Sequence, residues 1–115
     1  MGFDLEGNGD SDRGKYFRNN IWYWHPLWSY VCTNCEDILT KEEMEGGSFN
    51  DGIEISPIKA MQIANRLAEL LIEGKVSDYI KEYYRVGGVS NYSFQEDNVV
   101  NFMNFCGESK GFEIW

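Results

Sequence analysis

The fold is decided by the stretch Tyr16-Phe17-Arg18-Asn19-Asn20-Ile21-Trp22-Tyr23-Trp24-His25-Pro26-Leu27-Trp28-Ser29-Tyr30. It holds three of the four tryptophans and three of the seven tyrosines of the chain. Rings of this size bury large apolar areas and dominate the energetics of cores and interfaces. We expect most of these rings in the core, but because Trp22, Trp24 and Trp28 cannot all share one face of a helix or strand, we also expect one or two of the rings near the surface. All three remain candidate partner-binding anchors.

Composition indicates one folded domain, residues 1–115. Hydrophobic residues make up 43% of the 115 residues and aromatic residues 16%, which is typical of a globular chain. No apolar run approaches the length of a membrane span, and the first residues lack the pattern of a signal peptide. We therefore expect no membrane partner and a cytoplasmic location.

The charge is strongly negative and unevenly distributed. The chain carries a net charge of −9, which argues against direct nucleic-acid binding because phosphate contacts need a basic face. The segment 36–54 holds seven of the acidic residues and only one basic residue. It is either a solvated loop or a surface that steers the protein toward a basic partner. The candidate partner-binding carboxylates are Glu36, Asp37, Glu42, Glu43 and Glu45.

Apolar spacing predicts a mostly helical chain with three to four helices, over about 26–35, 57–74, 77–85 and 93–107. The second is the clearest, with Ser56 as its cap, Pro57 at its first position and Gly74 at its end. Its predicted apolar face consists of Ala60, Met61, Ala64, Leu67, Ala68 and Leu71. Ser93 and Glu96 predict a capping box on the last helix. The predicted buried face of that helix consists of Val99, Phe102, Met103 and Cys106. Residues 40–55 read as irregular loop.

Both ends of the chain alternate with the period of a strand. Gly2-Phe3-Asp4-Leu5 and Gly111-Phe112-Glu113-Ile114-Trp115 show this pattern. Pairing the two segments would give a small sheet that needs helix packing to persist. The predicted fold class is therefore α+β, mostly helical, with a small sheet that joins the N- and C-terminal segments.

Cys32-Thr33-Asn34-Cys35 is the one motif with chemical content. A single C-x-x-C supplies half of a zinc site, and Cys106 and His25 are the remaining soft ligands of the chain. The alternative is that all three cysteines are structural thiols. A redox role is disfavoured because the pair lies near the C-terminal end of its predicted helix, where the dipole opposes a thiolate. Zinc is the one cofactor that this motif indicates, and the sequence indicates no catalytic residues.

Three stretches of the chain resemble a family of short uncharacterised proteins of bacteriophages, prophages and bacteria. They are Met1-Gly2-Phe3-Asp4-Leu5, the block from Tyr16 to Trp28, and Gly111-Phe112-Glu113-Ile114, and the likeness extends to the helix at Ser56–Gly74. Some relatives carry a cysteine-rich, zinc-knuckle-like insert before the last helix. This chain has only residues 86–91 there, so no activity of that insert is carried over. The resemblance implies a phage setting and brings no reaction.

Charge, size and the implied setting favour a binding protein and not an enzyme. Such a protein would be a stoichiometric inhibitor, of anti-CRISPR type, of a host nucleoprotein or enzyme with a basic surface, acting in the host cytoplasm. A small zinc-stabilised structural protein is the alternative. A third alternative is a plain structural or assembly component, which would show self-association and no host partner.

Overall fold

The computed structural model describes residues 2–86 and 92–115, and its fold is α+β as the sequence predicts. Within these residues there are six helices and one antiparallel sheet of four strands. The helices are α1 (Asp12–Lys15), α2 (Ile21–Asn34), α3 (Lys41–Gly46), α4 (Pro57–Ile72), α5 (Lys75–Val86) and α6 (Glu96–Glu108). The strands are β1 (Gly2–Gly7), β2 (Tyr16–Asn20), β3 (Ile53–Ile55) and β4 (Phe112–Ile114).

The two terminal segments form the centre of the sheet, which confirms the predicted pairing. The strand order is β2-β1-β4-β3, and Leu5 of β1 lies opposite Ile114 of β4. Leu5, Ile114 and Phe112 are fully buried on the inner face, which packs on the helices. The side chains between them point to the other face, here called the outer face, which is open to solvent. One buried face and one solvated face are usual for an antiparallel sheet.

The first third of the aromatic block is strand, and the rest of it is helix. Residues 16–20 form β2 against β1, and α2 starts at Ile21, five residues before the predicted start at Pro26. The Asn20 side chain caps α2 by accepting the Tyr23 backbone N–H at 3.1 Å. Pro26 inside the helix lacks the N–H that would bond the Trp22 carbonyl. Instead, the backbone N–H of Ser93 donates to that carbonyl at 2.9 Å.

Trp24 and Trp28 form the middle of the core, so their assignment as partner-binding anchors is wrong. Their rings stack with centroids 5.4 Å apart, and both side chains are almost completely inaccessible to solvent. Trp24 Nε1 donates to the Gly47 carbonyl at 2.8 Å, and Trp28 Nε1 donates to the Met44 carbonyl at 2.9 Å. A buried indole N–H needs such a partner. The two rings therefore hold the end of α3 against α2.

The segment predicted as irregular loop, residues 40–55, contains α3 and β3. Thr40 and Glu43 form a capping box in which Thr40 Oγ1 accepts the Glu43 N–H and the Glu43 carboxylate accepts the Thr40 N–H. This T-x-x-E spacing is a helix-start signal, but the turn signals that follow it, Gly46-Gly47 and Asn50-Asp51-Gly52, favour a loop over the whole segment. β3 is only three residues long and depends on pairing with β4.

The predicted capping box of the last helix does not form. α6 starts at Glu96 after Gln95, and the Ser93 hydroxyl instead lies 3.1 Å from the Tyr84 hydroxyl. The helix also continues through Gly107, where α6 crosses α4. A Cβ built at Gly107 would lie 3.6 Å from the Ala64 Cβ, so a small residue suits this close crossing. Met103 is only partly buried.

Helix α4 is confirmed, but its buried face is rotated from the predicted one. The Ser56 side chain accepts the Lys59 N–H at 3.3 Å, and Gly74 adopts φ +75° after the helix. The buried residues are Ala60, Ile63, Ala64, Leu67 and Leu70. Met61, predicted to be buried, is about half exposed at 47%. Apolar side chains surround most of this helix, so sequence periodicity alone did not select the packed face.

The helix predicted over residues 77–85 is α5, which begins at Lys75. The Gly87-Gly88 pair predicted to end it lies outside the described residues. In the part of the chain that is described, no helix combines the length and the apolar character needed to cross a membrane.

The two indole hydrogen bonds give a test of this core. Trp24→Phe removes the donor to a buried carbonyl and leaves a small cavity, so the free energy of unfolding should fall by about 2–4 kcal/mol. Trp22→Phe is the matched control, since Trp22 is 40% exposed and its loss should cost less than about 1 kcal/mol. Urea unfolding measures both. Equal losses in the two variants would contradict the assignment of Trp24 to the core.

Candidate functional site: the outer face of the sheet

Strand register aligns three glutamates on the outer face. Glu6 of β1 lies directly opposite Glu113 of β4, and Glu54 of β3 lies opposite Glu113 on its other side. These three residues are here called the acidic row. Since neighbouring strands are about 4.8 Å apart, the row spans about 10 Å across three strands. Glu6 and Glu54 are exposed, and Glu113 between them is half-buried.

The acidic row is not neutralised inside the molecule. Among residues 2–86 and 92–115, no ion pair or hydrogen bond involves the carboxylates of Glu6, Glu54 or Glu113. Like charges placed directly opposite one another on a sheet destabilise it. The row therefore reduces stability and brings no compensating contact within the described fold. Arrangements of residues that reduce stability without a compensating contact are typical of functional surfaces.

A second row on the same face is neutralised. Asp4 of β1 lies opposite Arg18 of β2, and Arg18 Nη1 donates to the Asp4 carboxylate at 2.7 Å. The Tyr16 hydroxyl donates to the same carboxylate oxygen. The hydrogen bonds from Tyr16 and Arg18 lower the pKa of Asp4. Asp4 is therefore ionised but paired, which leaves the acidic row as the source of uncompensated charge on this face.

Trp115 supplies an apolar side chain beside the acidic row. It continues the alternation of β4 past Glu113, and its backbone N–H donates to the Asp4 carbonyl at 2.8 Å. The ring lies over Gly52, which has φ +81°, and a Cβ at Gly52 would lie 2.6 Å from it. Trp115 remains 43% exposed. The outer face thus combines three free carboxylates with one half-exposed tryptophan.

The five carboxylates predicted from the segment 36–54 separate into two groups. Asp37 forms a bidentate ion pair with Arg66, with N–O distances of 2.9 and 2.7 Å. Glu43 pairs with Lys59 at 2.6 Å and also caps α3. These two carboxylates have structural roles. The other three are exposed and have no ion pair within the described residues: Glu36, Glu42 and Glu45.

Trp22 is the one predicted tryptophan anchor that stays at the surface. It is 40% exposed, and its ring meets the ring of Tyr92 edge-on with centroids 5.1 Å apart. Trp115 was not predicted as an anchor. The sequence does contain a signal for Trp115 as an anchor, because strand alternation in the terminal segment places it on the same face as Glu113.

The four predicted metal ligands do not form a site. His25 lies in the first half of α2, where its ring meets the Phe3 ring 5.3 Å away. Cys32 and Cys35 lie at the other end of that helix. His25 and Cys32 are seven residues apart, so a rise of 1.5 Å per residue places their backbones about 10 Å from each other. This distance is too large for a shared ion. No group of three or more His, Cys, Asp or Glu side chains in the described ranges could hold a metal, Cys106 included.

The three cysteines are free thiols, of which Cys35 and Cys106 are buried and Cys32 is partly buried. Burial raises the pKa of Cys32 to about 12 and the pKa of Cys35 to about 11. Burial also raises the pKa of the fully buried Cys106 well above its usual value. Thiolates are the reactive and metal-binding form of cysteine, so these protonated thiols are poorly suited to redox chemistry at neutral pH.

A groove with a volume of about 450 Å³ runs between β2 and α6. Phe17 and Phe105 line it, and Arg13 and Arg18 lie at its rim. Each arginine already has a carboxylate neighbour, because Arg13 lies 3.6 Å from Glu108 and Arg18 pairs with Asp4. The groove thus offers no surplus charge for an ionic ligand.

Comparisons with known proteins do not assign the chain to a family. No protein-family model matches it, and neither the curated proteins nor the solved structures that were searched include a match.

The raised thiol pKa values predict a loss of stability at alkaline pH. Unfolded thiols ionise near pH 9.0, whereas Cys32 and Cys35 in the fold keep their protons until about pH 12 and 11. The contribution of these protonated thiols to the free energy of unfolding is fully present below pH 9. It decreases above pH 9 and is lost once the pH has risen through the pKa values of the folded state. The urea midpoint should fall from pH 9 to pH 10, and it should fall less in Cys32→Ala. Identical pH slopes would show that this thiol is not buried.

The acidic row predicts that one neutral substitution stabilises the fold. Glu113→Gln keeps the shape of the side chain and removes repulsion on both sides, so the free energy of unfolding should rise by about 0.2–1 kcal/mol. The gain should shrink in high salt because salt screens exposed charges. Glu36→Gln is the control and should have a smaller effect. A loss of stability in Glu113→Gln would show that Glu113 makes a favourable contact.

Proposed function

We propose that this protein is a binding protein whose outer sheet face engages a basic surface of a partner protein. The observation that carries the proposal is the acidic row of Glu6, Glu54 and Glu113, which is aligned by strand register, is not neutralised and lies next to a half-exposed Trp115. Buried aromatic anchors and complementary charge are the usual determinants of affinity and specificity at protein interfaces.

The spacing of the acidic row defines the chemistry of the partner. Its carboxylates repeat about every 4.8 Å, and lysine or arginine residues three or four positions apart on a helix repeat at about 5–6 Å. A basic helix or a similarly spaced basic strip can therefore place one cation on each carboxylate. Arginine is favoured over lysine because its planar guanidinium group can donate two hydrogen bonds to one carboxylate. Trp115 would then pack on the apolar stem of one of these side chains.

Basic surfaces of this kind occur on proteins that handle nucleic acid, because phosphate contacts require them. We therefore infer a stoichiometric inhibitor that occupies a nucleic-acid channel of a host protein, in the manner of an anti-CRISPR protein. The resemblance of both chain ends to short phage and prophage proteins supports a phage origin and action in the host cytoplasm. The net charge of −9 would speed association with such a channel and make binding sensitive to salt.

The decisive experiment compares two triple charge reversals in an affinity capture from host lysate, at low and high salt. The first variant carries Glu6→Lys, Glu54→Lys and Glu113→Lys. The second is the matched control, which reverses the exposed Glu36, Glu42 and Glu45. Both variants have the same net charge, so only the location of the change differs.

We expect the unmodified chain to retain one nucleic-acid-handling complex at low salt and to lose it at high salt. The outer-face variant should lose the complex even at low salt, by at least about tenfold in affinity, while the control keeps most of it. If only the control variant abolished capture, the binding surface would lie on the 36–54 segment and not on the outer face. Capture that does not depend on salt would contradict an electrostatic interface.

A further inference from the structure

A cavity with a volume of about 390 Å³ opens between the C-terminal half of α2 and the first turns of α5, and it is here called the α2–α5 cavity. Each of the two helices lines it at intervals of three and four residues. Positions at these intervals share one face of a helix, so each helix presents a single face to the cavity. The lining includes Tyr30, Thr33 and Asn34 of α2, Leu70 of α4, and Asp78 and Tyr79 of α5.

The side chain of Tyr30 is buried, yet its hydroxyl has no partner within the fold. Tyr30 is 4% exposed, and its ring packs on the rings of Tyr79 and Phe94 with centroids 4.6 and 5.1 Å away. No residue in the described ranges forms a hydrogen bond with this hydroxyl, although the fully enclosed polar side-chain atoms of those ranges all have partners. The oxygen therefore reaches the surface of the cavity that Tyr30 lines. Its hydrogen bonds can be made only from the cavity, and a buried polar group requires them.

Two further polar groups of the cavity are free hydrogen-bond acceptors. The Asp78 carboxylate makes no ion pair or hydrogen bond with any part of residues 2–86 and 92–115. The Asn34 side chain donates its amide N–H to the Tyr30 carbonyl at 2.9 Å, which leaves its Oδ1 atom without a partner in the described structure. Asn34 is also the last residue of α2, and the C-terminal end of a helix carries partial negative charge. The cavity therefore favours a positively charged ligand with N–H donors.

The charged residues at the rim do not neutralise Asp78. The Nζ atom of Lys75 lies 3.4 Å from the Glu73 carboxylate, so this cation already has a partner. The Glu82 carboxylate is paired with Arg85 in the next turn of α5. An anionic ligand would meet Asp78, Glu82 and the negative end of the α2 dipole, which disfavours it.

We propose that the α2–α5 cavity binds a small organic cation, an amine carried on an aromatic body. The ammonium group donates to the Asp78 carboxylate and to the free oxygens of Asn34 and Tyr30. The aromatic body lies against Leu70 and the ring of Tyr79, and tyrosine rings also attract a cation. The volume of the cavity lies in the range of small-molecule sites. The cavity shares no residue with the acidic row, so the two proposals stand or fall separately.

An NMR titration of the ¹⁵N-labelled full chain tests the site, with 2-phenylethylamine as the probe. Its amide shifts should saturate and should be concentrated in residues 30–34 and 75–82. The neutral 2-phenylethanol has the same aromatic body and should bind at least about threefold more weakly, because it cannot pair with a carboxylate. The anionic 3-phenylpropionate should not bind. Equal affinity for the amine and the alcohol, or no saturation with the amine at millimolar concentration, would overturn the proposal.

Two matched charge-neutralising variants separate a specific site from general attraction to an acidic chain. Asp78→Asn keeps the shape of the side chain and should weaken binding of the amine at least about threefold, with binding of the alcohol unchanged. Asp51→Asn is the control, because Asp51 is exposed, lies outside the cavity and has no ion pair within the described residues. Both variants change the net charge by the same amount. Equal weakening in the two variants would show that the amine responds only to overall charge, which would contradict the site.

Tyr30→Phe distinguishes a ligand-binding hydroxyl from a structural one. Its urea midpoint should match that of the unmodified chain, since the hydroxyl has no partner in the described fold, while binding of the amine should weaken by at least about twofold. Tyr84→Phe is the stability control and should lower the midpoint, because the Tyr84 hydroxyl donates to the Phe94 carbonyl and accepts the Phe94 N–H, both at 3.2 Å. Unchanged amine binding in Tyr30→Phe, or a midpoint as low as that of Tyr84→Phe, would contradict the role of this hydroxyl.

Discussion

The antiparallel pairing of β1 with β4 is the constraint on which the rest of the structure depends. It joins segments about a hundred positions apart in the chain, and it sets which side chains of both strands face the helices. Leu5 and Ile114 enter the core because of this register, and Glu6 meets Glu113 on the other face for the same reason. A shift by one residue would exchange the two faces of the strand. The core and the acidic row are therefore specified by one set of backbone hydrogen bonds.

The stacked pair of Trp24 and Trp28 completes the fold by holding α3, which leads into β3. Each indole satisfies a carbonyl near the end of α3, so the aromatic block acts through hydrogen bonds as well as through buried area. β3 in turn brings Glu54 to the edge of the acidic row. The residues that make up the proposed binding face thus come from three distant parts of the sequence, and the core brings them together.

The sequence predicted those elements whose limits are set by neighbouring residues in the chain. Ser56, Pro57 and Gly74 delimited α4, and strand alternation revealed the two terminal strands. β2 is not evident from the sequence because Phe17 is the only apolar residue on its inner face and because the strand depends on pairing with β1. The preference of proline for the first turn of a helix predicts a start at Pro26, whereas α2 begins at Ile21 because the Ser93 N–H replaces the hydrogen bond that Pro26 cannot make. The acidic row was not predictable from composition, since its three members are isolated in the sequence and only strand register aligns them.

The central claim is that Glu6 and Glu113 are adjacent and not neutralised, and a double-mutant cycle tests it directly. Glu6→Gln, Glu113→Gln and the double variant are compared with the unmodified chain by urea unfolding at low and high salt. The double variant should gain less stability than the sum of the two single variants, by a few tenths of a kcal/mol or more at low salt. The difference should disappear at high salt. Simple additivity at low salt would contradict the register and, with it, the proposed binding face.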